Sequence, residues 1–265
     1  MYPTNSVLTS LRVTDDELMV QVENTPAAFW ELFERHCQSV FRYYAVRANG
    51  DLERAREMTA QAFWVVLQKS RTFHGEGFVS WLFGIAWDVL NEHRQREYER
   101  KSKDNTQSTA TFKAQKLGAN PGENRQMLRV LRSVPFYPRE TLYLRYFAGL
   151  NVCDIASFMD LSEADVRSAV YQGLLLFDSQ IVSERRMDFP VGEKLVLVAD
   201  IYDFYLSDWL RGNTPRVDAP IEAIRATNRL QSMREAVSLH PDMQAALRDR
   251  LNRMIHSVPG SGERL

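Results

Sequence analysis

The sequence has little of what disulfide-stapled or membrane-spanning folds depend on. Its 265 residues include only 2 cysteines, 12 glycines and 10 prolines. The cysteines, Cys37 and Cys153, are too far apart to suggest a metal-type spacing, so we expect buried free thiols. The scarcity of glycine and proline favours a helical chain. No apolar run approaches the roughly 20 residues that span a bilayer.

Further absences narrow the function classes. None of the 5 histidines stands in a metal-ligand spacing, and there is no glycine-rich phosphate loop. We therefore expect no enzyme activity, no cofactor and no metal. The N-terminal region lacks the apolar core of a signal peptide, so we expect a soluble, cytoplasmic protein with no membrane insertion. Because the formal net charge is −1, a nucleic-acid partner would depend on a local basic surface.

The stretch Leu142–Tyr171 is the most informative part of what is present. Ile155 and Met159 recur at helical spacing, and a break follows them. Ser162 with Asp165 three residues later is an acidic variant of the capping box that begins a second helix. Two short helices crossing at a tight turn leave the start of the second free to enter a DNA major groove. An ordinary helical hairpin in a bundle is the alternative.

An aromatic segment upstream favours a DNA-binding helix-turn-helix over an ordinary helical hairpin. The run 63–86 has Phe73 ahead of Trp81-Leu82-Phe83. It resembles region 2 of the extracytoplasmic-function (ECF) sigma factors, a subfamily of the sigma-70 family of bacterial RNA polymerase. The helix-turn-helix, with Pro138-Arg139-Glu140 before it, resembles region 4 of the same family. Two motifs in this order are more specific than either one, and the resemblance covers about residues 25–183.

The resemblance implies an all-α fold of two small helical domains joined by a flexible linker. Beyond it, the amphipathic pattern after residue 183 predicts a C-terminal helical extension. The expected order is a leader, a region 2-like domain, a linker, a region 4-like helix-turn-helix domain and the extension, at residues 1–24, 25–103, 104–123, 124–183 and 184–265. The implied function is to bind core RNA polymerase and direct promoter recognition and opening. Core RNA polymerase and promoter DNA are the implied partners, and an anti-sigma or other regulatory protein is a further one.

In the family, a loop and the helix after it hold unstacked bases of the −10 promoter element. An aromatic and polar loop suits that task, because bases stack on rings and phosphates pair with cations. The residues implied here are Phe73, His74, Glu76, Trp87, Asn91 and Arg94. Core packing is the alternative for the aromatic side chains. We expect core packing for Trp81 and Leu82, and DNA contact for Phe73 and His74.

The resemblance implies two further sites. For the −35 promoter element, the implied residues are Ser162, Asp165, Arg167, Ser168, Tyr171 and Gln172. For the polymerase clamp, they are Arg54, Arg56, Glu57 and Gln61.

The sequence departs from the family pattern at some of these positions. The usual acidic run Asp-Ala-Glu-Asp of the polymerase-binding helix is Arg54-Ala55-Arg56-Glu57 here, which reverses the charge at two positions. Gly84 and Trp87 stand where the family has arginine, so fewer phosphate contacts remain. These departures favour a second interpretation, in which the chain is a degenerate sigma-like regulatory interaction protein with weakened DNA and polymerase contacts.

The end of the predicted recognition helix, Leu174–Phe177, is unexpectedly apolar for a helix that faces DNA. Exposed apolar patches are rare without a partner. We therefore expect the extension to fold back and restrain the sigma-like domains. The residues predicted to form its covering stripe are Leu195, Val198, Ile201, Tyr205 and Trp209.

Overall fold

The computed structural model of the chain is helical, and no strand occurs in the part of the chain that it describes. The described residues are 13–75, 77–103, 121–181, 199–200, 202–203, 206 and 221–257. The α-helices are α1 Asp15–Gln21, α2 Pro26–Arg47, α3 Leu52–Gln68, α4 Phe78–Lys103, α5 Pro121–Ser133, α6 Phe136–Leu142, α7 Val152–Met159, α8 Glu163–Ile181, α9 Ile221–Ala236 and α10 Pro241–Ser257. A 3₁₀ turn spans Ser70–Thr72, and a π-helical turn spans Tyr143–Ala148.

Helices α1 to α4 form a first unit around an aromatic core. Pro26 opens α2, where its missing N–H removes no helical hydrogen bond. A turn at Asn49-Gly50-Asp51 follows α2, and the Asp51 side chain caps α3 by accepting from the Arg54 N–H at 3.0 Å. Phe33 and Phe63 meet edge to face with ring centroids 5.0 Å apart, so aromatic contact joins α2 to α3.

Helices α5 to α8 form a second unit that contains the predicted helix-turn-helix. Asp160 ends α7 in the left-handed region with a φ of 54°. The Ser162 hydroxyl then caps α8 by accepting from the Asp165 N–H at 3.1 Å. Gly173 allows α8 to approach α6 closely, because a Cβ there would lie 3.0 Å from the Leu142 side chain.

The two units pack against each other. Helix α2 contacts the π-helical turn, and α4 contacts α7. The buried residues of both units belong to one continuous core. Because α5 begins at Pro121, the predicted linker end at residue 123 is corrected: residues 121–123 are helical. The rest of that linker lies outside the described residues, and the division into domains stays a prediction.

The C-terminal arm, which we define as α9 and α10, folds back on both units. Helix α9 packs on α8 and on the π-helical turn, while α10 packs on α3. Leu230 and Met233 of α9 and Leu251 of α10 are fully buried. A fold-back of the extension is thus present in the arm. The five residues of the predicted covering stripe, at positions 195, 198, 201, 205 and 209, have side chains outside the described residues.

Candidate nucleic-acid and polymerase interfaces

The loop predicted to hold −10 bases has a buried part and an open part. Phe73 is 8% exposed, and its ring centroid lies 5.3 Å from that of Trp81 and 6.2 Å from that of Phe78. The apolar ring of Phe73 is thus part of the core, and its contact with DNA stays a prediction. A base could stack on it only after the loop moved. His74 is exposed, and Glu76 lies outside the described residues.

The predicted −10 face continues along α4. Trp87 is half-buried, with its ring centroid 6.2 Å from that of Phe136 and 4.9 Å from the guanidinium carbon of Arg47. Asn91 and Arg94, further along the helix, are exposed. The second unit therefore engages Trp87 and leaves the other two side chains open.

A buried ion pair joins the two units beside Trp87. The Arg47 guanidinium donates to the Glu140 carboxylate, and the two side chains are 2% and 3% exposed. The guanidinium carbon also lies 5.5, 4.9 and 5.6 Å from the ring centroids of Tyr43, Trp87 and Tyr143. Burial raises the pKa of Glu140 above its ordinary value, and the Arg47 charge opposes that rise. The pair fixes the junction, because either charge buried alone would be costly.

Sequence reasoning missed this pair. Arg47 and Glu140 are 93 positions apart, and no local pattern connects them. The available signal was the position of Glu140 beside the apolar residues of α6, where a carboxylate needs a cation if it is buried.

Two of the predicted polymerase-binding residues on α3 have acidic partners within the chain. The Arg54 guanidinium donates to the Glu97 carboxylate at 2.6 Å, and Arg56 pairs with Glu53. The charge reversal relative to the family pattern is therefore offset locally. The α3 surface is therefore less positive than Arg54 and Arg56 alone suggest, and it differs less from the acidic surface of the family.

The other two predicted polymerase-binding residues have different partners. Glu57, the acid retained from the family pattern, lies 3.6 Å from the Arg250 guanidinium of the arm. The Gln61 amide oxygen accepts from the His93 ring N–H at 2.8 Å. Burial lowers the pKa of His93, and the Arg54 charge acts in the same direction. These influences favour the uncharged His93 ring, whose remaining N–H can still donate to Gln61.

The first turn of α8, which is predicted to approach −35 DNA, is open to solvent. Ser162 and Asp165 are exposed, although both also take part in the helix cap. The Arg167 guanidinium donates to Asp200 at 2.6 Å and to Glu163 at 3.1 Å. The predicted phosphate-binding arginine is thus neutralised by a carboxylate from outside α8 as well as by one within it.

The middle of α8 is partly covered. Tyr171 is 3% exposed, and its ring centroid lies 5.8 Å from that of Tyr202. Ser168 is half-buried and its hydroxyl has no hydrogen-bond partner within the described residues, whereas Gln172 is exposed. DNA contact by Tyr171 stays a prediction, and it requires Tyr202 to move.

The apolar end of α8 is covered by α9. Leu174 and Phe177 are fully buried. Asp178, with a side chain 1% exposed, accepts from Arg225 at 2.8 Å and from Arg229 at 2.9 Å. Helix α9 therefore contacts this end of α8 through charge-assisted hydrogen bonds, and cover by the stripe at 195–209 stays a prediction.

Other chemistry-bearing groups are sparse. Within the described residues, no group of three His, Cys, Asp or Glu side chains could hold a metal ion. Both cysteines are free. Cys37 is buried, which raises its pKa to about 11, but Cys153 is exposed, so a buried thiol was the wrong expectation there. In the same described ranges, no helix has both the length and the apolarity needed to cross a bilayer.

Comparison with known proteins gives one distant relative to report. The chain is 24% identical over 156 residues to the ECF RNA polymerase sigma factor BldN of Streptomyces coelicolor. The similar region covers 56% of this chain and 58% of BldN, so the chain spans less than two thirds of that relative's length. No family model and no solved structure matches the chain.

Proposed function

We propose that the chain is an ECF-type sigma factor that binds core RNA polymerase and directs promoter recognition and opening. The observation that carries this proposal is the capped helix-turn-helix of α7 and α8 in the same chain as the α1–α4 bundle, in the motif order of the family. The similarity to a named ECF sigma factor supports it independently. The role is that of a transcription factor and requires no catalytic residue.

The first half of α8 is the proposed −35 reader. Asp165, Ser168 and Gln172 follow one another at intervals of three and four residues, so they share one face of the helix. Asp165 and Gln172 are exposed. Glutamine side chains bond to base edges in the major groove. Since Arg167 is the only cation among the six residues predicted for this site, we expect few phosphate contacts and a shallow salt dependence.

The proposed −10 surface combines the open part of the loop with the exposed side of α4. His74, Asn91 and Arg94 are exposed and can reach a separated strand without any change of fold. Arg94 supplies a cation for phosphates, and the half-buried Trp87 supplies a ring at the edge of this surface.

The proposed polymerase surface is the side of α3 that carries Glu57 and Gln61. These residues are four positions apart and therefore neighbours on the helix. Arg54 and Arg56 border them, and their pairing with Glu97 and Glu53 lowers the electrostatic cost of facing a partner that suits acidic residues.

A regulatory interaction protein that keeps the sigma fold without sigma activity is the second candidate. The burial of Tyr171 and the pairing of Arg167 with Asp200 favour it, because both withdraw groups from the predicted −35 surface. The two candidates differ in one property: only a sigma factor makes core RNA polymerase start at specific promoters.

Transcription in vitro tests the proposal. The full chain is added to bacterial core RNA polymerase on a library of fragments from the source genome, and native gels report association with the polymerase. We expect association and discrete transcripts that depend on the chain. Association without such transcripts would favour the second candidate, and absence of both would contradict the sigma assignment.

A matched pair of variants tests the role of α8. Gln172→Ala removes an exposed amide from the proposed −35 face, and Gln126→Ala removes one from the exposed side of α5. The loss of a good base contact is worth about 1–3 kcal/mol, so Gln172→Ala should weaken transcription about tenfold. Gln126→Ala should leave it unchanged. Equal effects of the two variants would show that α8 does not read DNA by this face.

A further inference from the structure

Helix α10 packs on α3 by an apolar stripe. Leu247, Leu251 and Ile255 stand four residues apart and are at most 2% exposed. This spacing places them on one face of α10, and α3 is the helix against which α10 packs. The arm therefore covers part of α3 with side chains that are poorly suited to water.

Arginines flank this stripe and pair with acidic residues of the first unit. Arg250 lies 3.6 Å from Glu57, which belongs to the proposed polymerase surface. Arg248 donates to Glu34 on α2 at 2.8 Å, and its guanidinium carbon lies 4.7 Å from the Trp30 ring centroid. The arm thus presents one cation, Arg250, to the acid that the family pattern retains on α3.

The rest of the arm connects α3 to α8. At the α9–α10 connection, the Leu239 N–H donates to the Gln38 side chain at 3.1 Å, and Arg42 donates to Ser238 at 3.1 Å. At its other end, α9 holds the buried Asp178 of α8. One continuous segment therefore bridges the helix proposed to bind polymerase and the helix proposed to bind DNA.

We propose that the C-terminal arm is an intramolecular competitor of RNA polymerase. In the closed arrangement, α10 occupies the α3 surface at Glu57 and keeps α3 and α8 in one compact body. Polymerase binding then requires α10 to leave. This inference rests on the proposed sigma function, because it assigns α3 to polymerase binding.

The contacts suit a competitor that can be displaced. The ion pairs of Arg248 and Arg250 involve side chains that are 42–51% exposed, so each is weak and screened by salt. The tether nevertheless keeps the local concentration of α10 high, so a modest contact is well populated. A polymerase that binds α3 more tightly than α10 does would shift this equilibrium.

A full-length variant with a broken stripe tests the proposal. Leu251→Asp places a charge in the α10–α3 contact, and the control Ala246→Asp places one on the exposed side of α10. Hydrogen exchange of the α10 amides reports undocking, because a free helix of 17 residues is marginal in water. Titration with core RNA polymerase reports affinity. We expect faster exchange and at least tenfold tighter polymerase binding for Leu251→Asp alone.

A second pair of variants perturbs the contact without burying a charge. Arg250→Glu sets two acids against each other at Glu57, and Arg253→Glu makes the same change on the exposed side of α10. We expect Arg250→Glu to bind polymerase two- to threefold more tightly than the wild-type chain. Arg253→Glu should bind it with the wild-type affinity. Circular dichroism verifies the helical fold of each variant.

The outcomes separate the two proposals. If the Leu251→Asp and Arg250→Glu variants expose α10 while polymerase affinity stays at the wild-type value, the competitor inference is wrong and the sigma function stands. If neither the wild-type chain nor any opened variant binds core polymerase, the proposed sigma function is wrong. The competitor inference, which depends on it, is then wrong as well.

Discussion

The two junctions that keep this molecule closed differ in how far water reaches them. Between the units, Arg47 and Glu140 are 2% and 3% exposed and lie among aromatic rings. Between the arm and the first unit, Arg248 and Glu34 are 44% and 51% exposed. Removing one partner of a buried ion pair strongly destabilises the fold, because it leaves an uncompensated buried charge. A solvated ion pair contributes little to the free energy of unfolding. The arm junction should therefore open first.

This difference separates release of the arm from separation of the units. Displacing α10 frees Glu57 from Arg250 and uncovers the part of α3 beneath α10 without disturbing the Arg47–Glu140 pair. Freeing Trp87 fully for DNA requires the second step, because Arg47 and Phe136 pack on its ring. Polymerase binding and −10 capture would thus depend on junctions of unequal strength.

The largest effect is expected from breaking the pair between the units. Arg47→Met leaves the buried Glu140 with the longer contact to Arg139 at 3.8 Å in place of the Arg47 hydrogen bond, which should lower the free energy of unfolding by up to about 3–5 kcal/mol. Urea denaturation followed by circular dichroism measures this change. The double variant Arg47→Met and Glu140→Leu should recover most of the loss, because it removes both charges.

The exposed pair of Arg71 and Glu23, with side chains 69% and 40% exposed, supplies the control for this experiment. Arg71→Met should change the free energy of unfolding by less than about 1 kcal/mol. If Arg47→Met were as mild as Arg71→Met, the junction between the units could not be the stronger one.

A smaller effect is expected at the junction of α8 and α9. Asp178→Asn removes the charge that accepts hydrogen bonds from Arg225 and Arg229, so we expect a loss of about 1.5–3 kcal/mol in the free energy of unfolding. Asp249→Asn, on the exposed side of α10, is the matched control and should be neutral. Urea denaturation measures both. A neutral Asp178→Asn would mean that apolar packing alone holds α9 on α8.

The sequence predicted the local structure better than these junctions. Pro26 and Asp51 mark the starts of α2 and α3 by chemistry that a short window of sequence contains. The apolar end of α8 correctly indicated that something covers it. The docking of α10 on α3 and the pairing of Arg47 with Glu140 were not predictable, because they depend on residues far apart in the chain and on no periodic signal.

The candidate sites show the same limit. The positions of His74, Asn91, Arg94 and Gln172 on exposed surfaces agree with the family resemblance. For Phe73 two roles stay open from sequence, because an aromatic residue in a loop can stack on a base or pack in the core, and here the neighbouring rings of Phe78 and Trp81 contact it.

A pH-dependent junction of intermediate exposure sharpens the comparison. Asp15 of α1 accepts hydrogen bonds from His36 and Arg35 of α2, and these partners, chiefly His36, lower the pKa of Asp15 to about 2. A lowered pKa stabilises the fold above the ordinary value of 3.8, and this stabilisation is lost as the pH falls toward 2. Because the carboxylate is partly solvated, we expect about 1 kcal/mol.

Thermal unfolding between pH 5 and about pH 2 measures this contribution. Asp15→Asn should flatten the acid limb of the stability curve, and Asp249→Asn should leave that limb as in the wild-type chain. An unchanged acid limb in Asp15→Asn would assign the acid sensitivity to other carboxylates.

The smallest effect is expected at the solvated edge of the arm. Arg248→Ala removes the ion pair with Glu34 and the contact with the Trp30 ring. These exposed contacts are worth at most about 1 kcal/mol together. The change should shift the exchange rate of the α10 amides severalfold and leave the urea midpoint of the units in place. Arg253→Ala, on the exposed side of α10, is the control and should alter neither the exchange rate nor the urea midpoint.

Raising NaCl from about 0.05 to 0.5 M should speed the exchange of the α10 amides in the wild-type chain, because the Debye length shrinks to a few ångströms. The same salt should have a smaller effect in Arg248→Ala, which has lost one screened pair and keeps that of Arg250 with Glu57. If salt or Arg248→Ala lowered the urea midpoint as much as Arg47→Met does, the arm and the units would open as one cooperative body, and α10 could not leave α3 on its own.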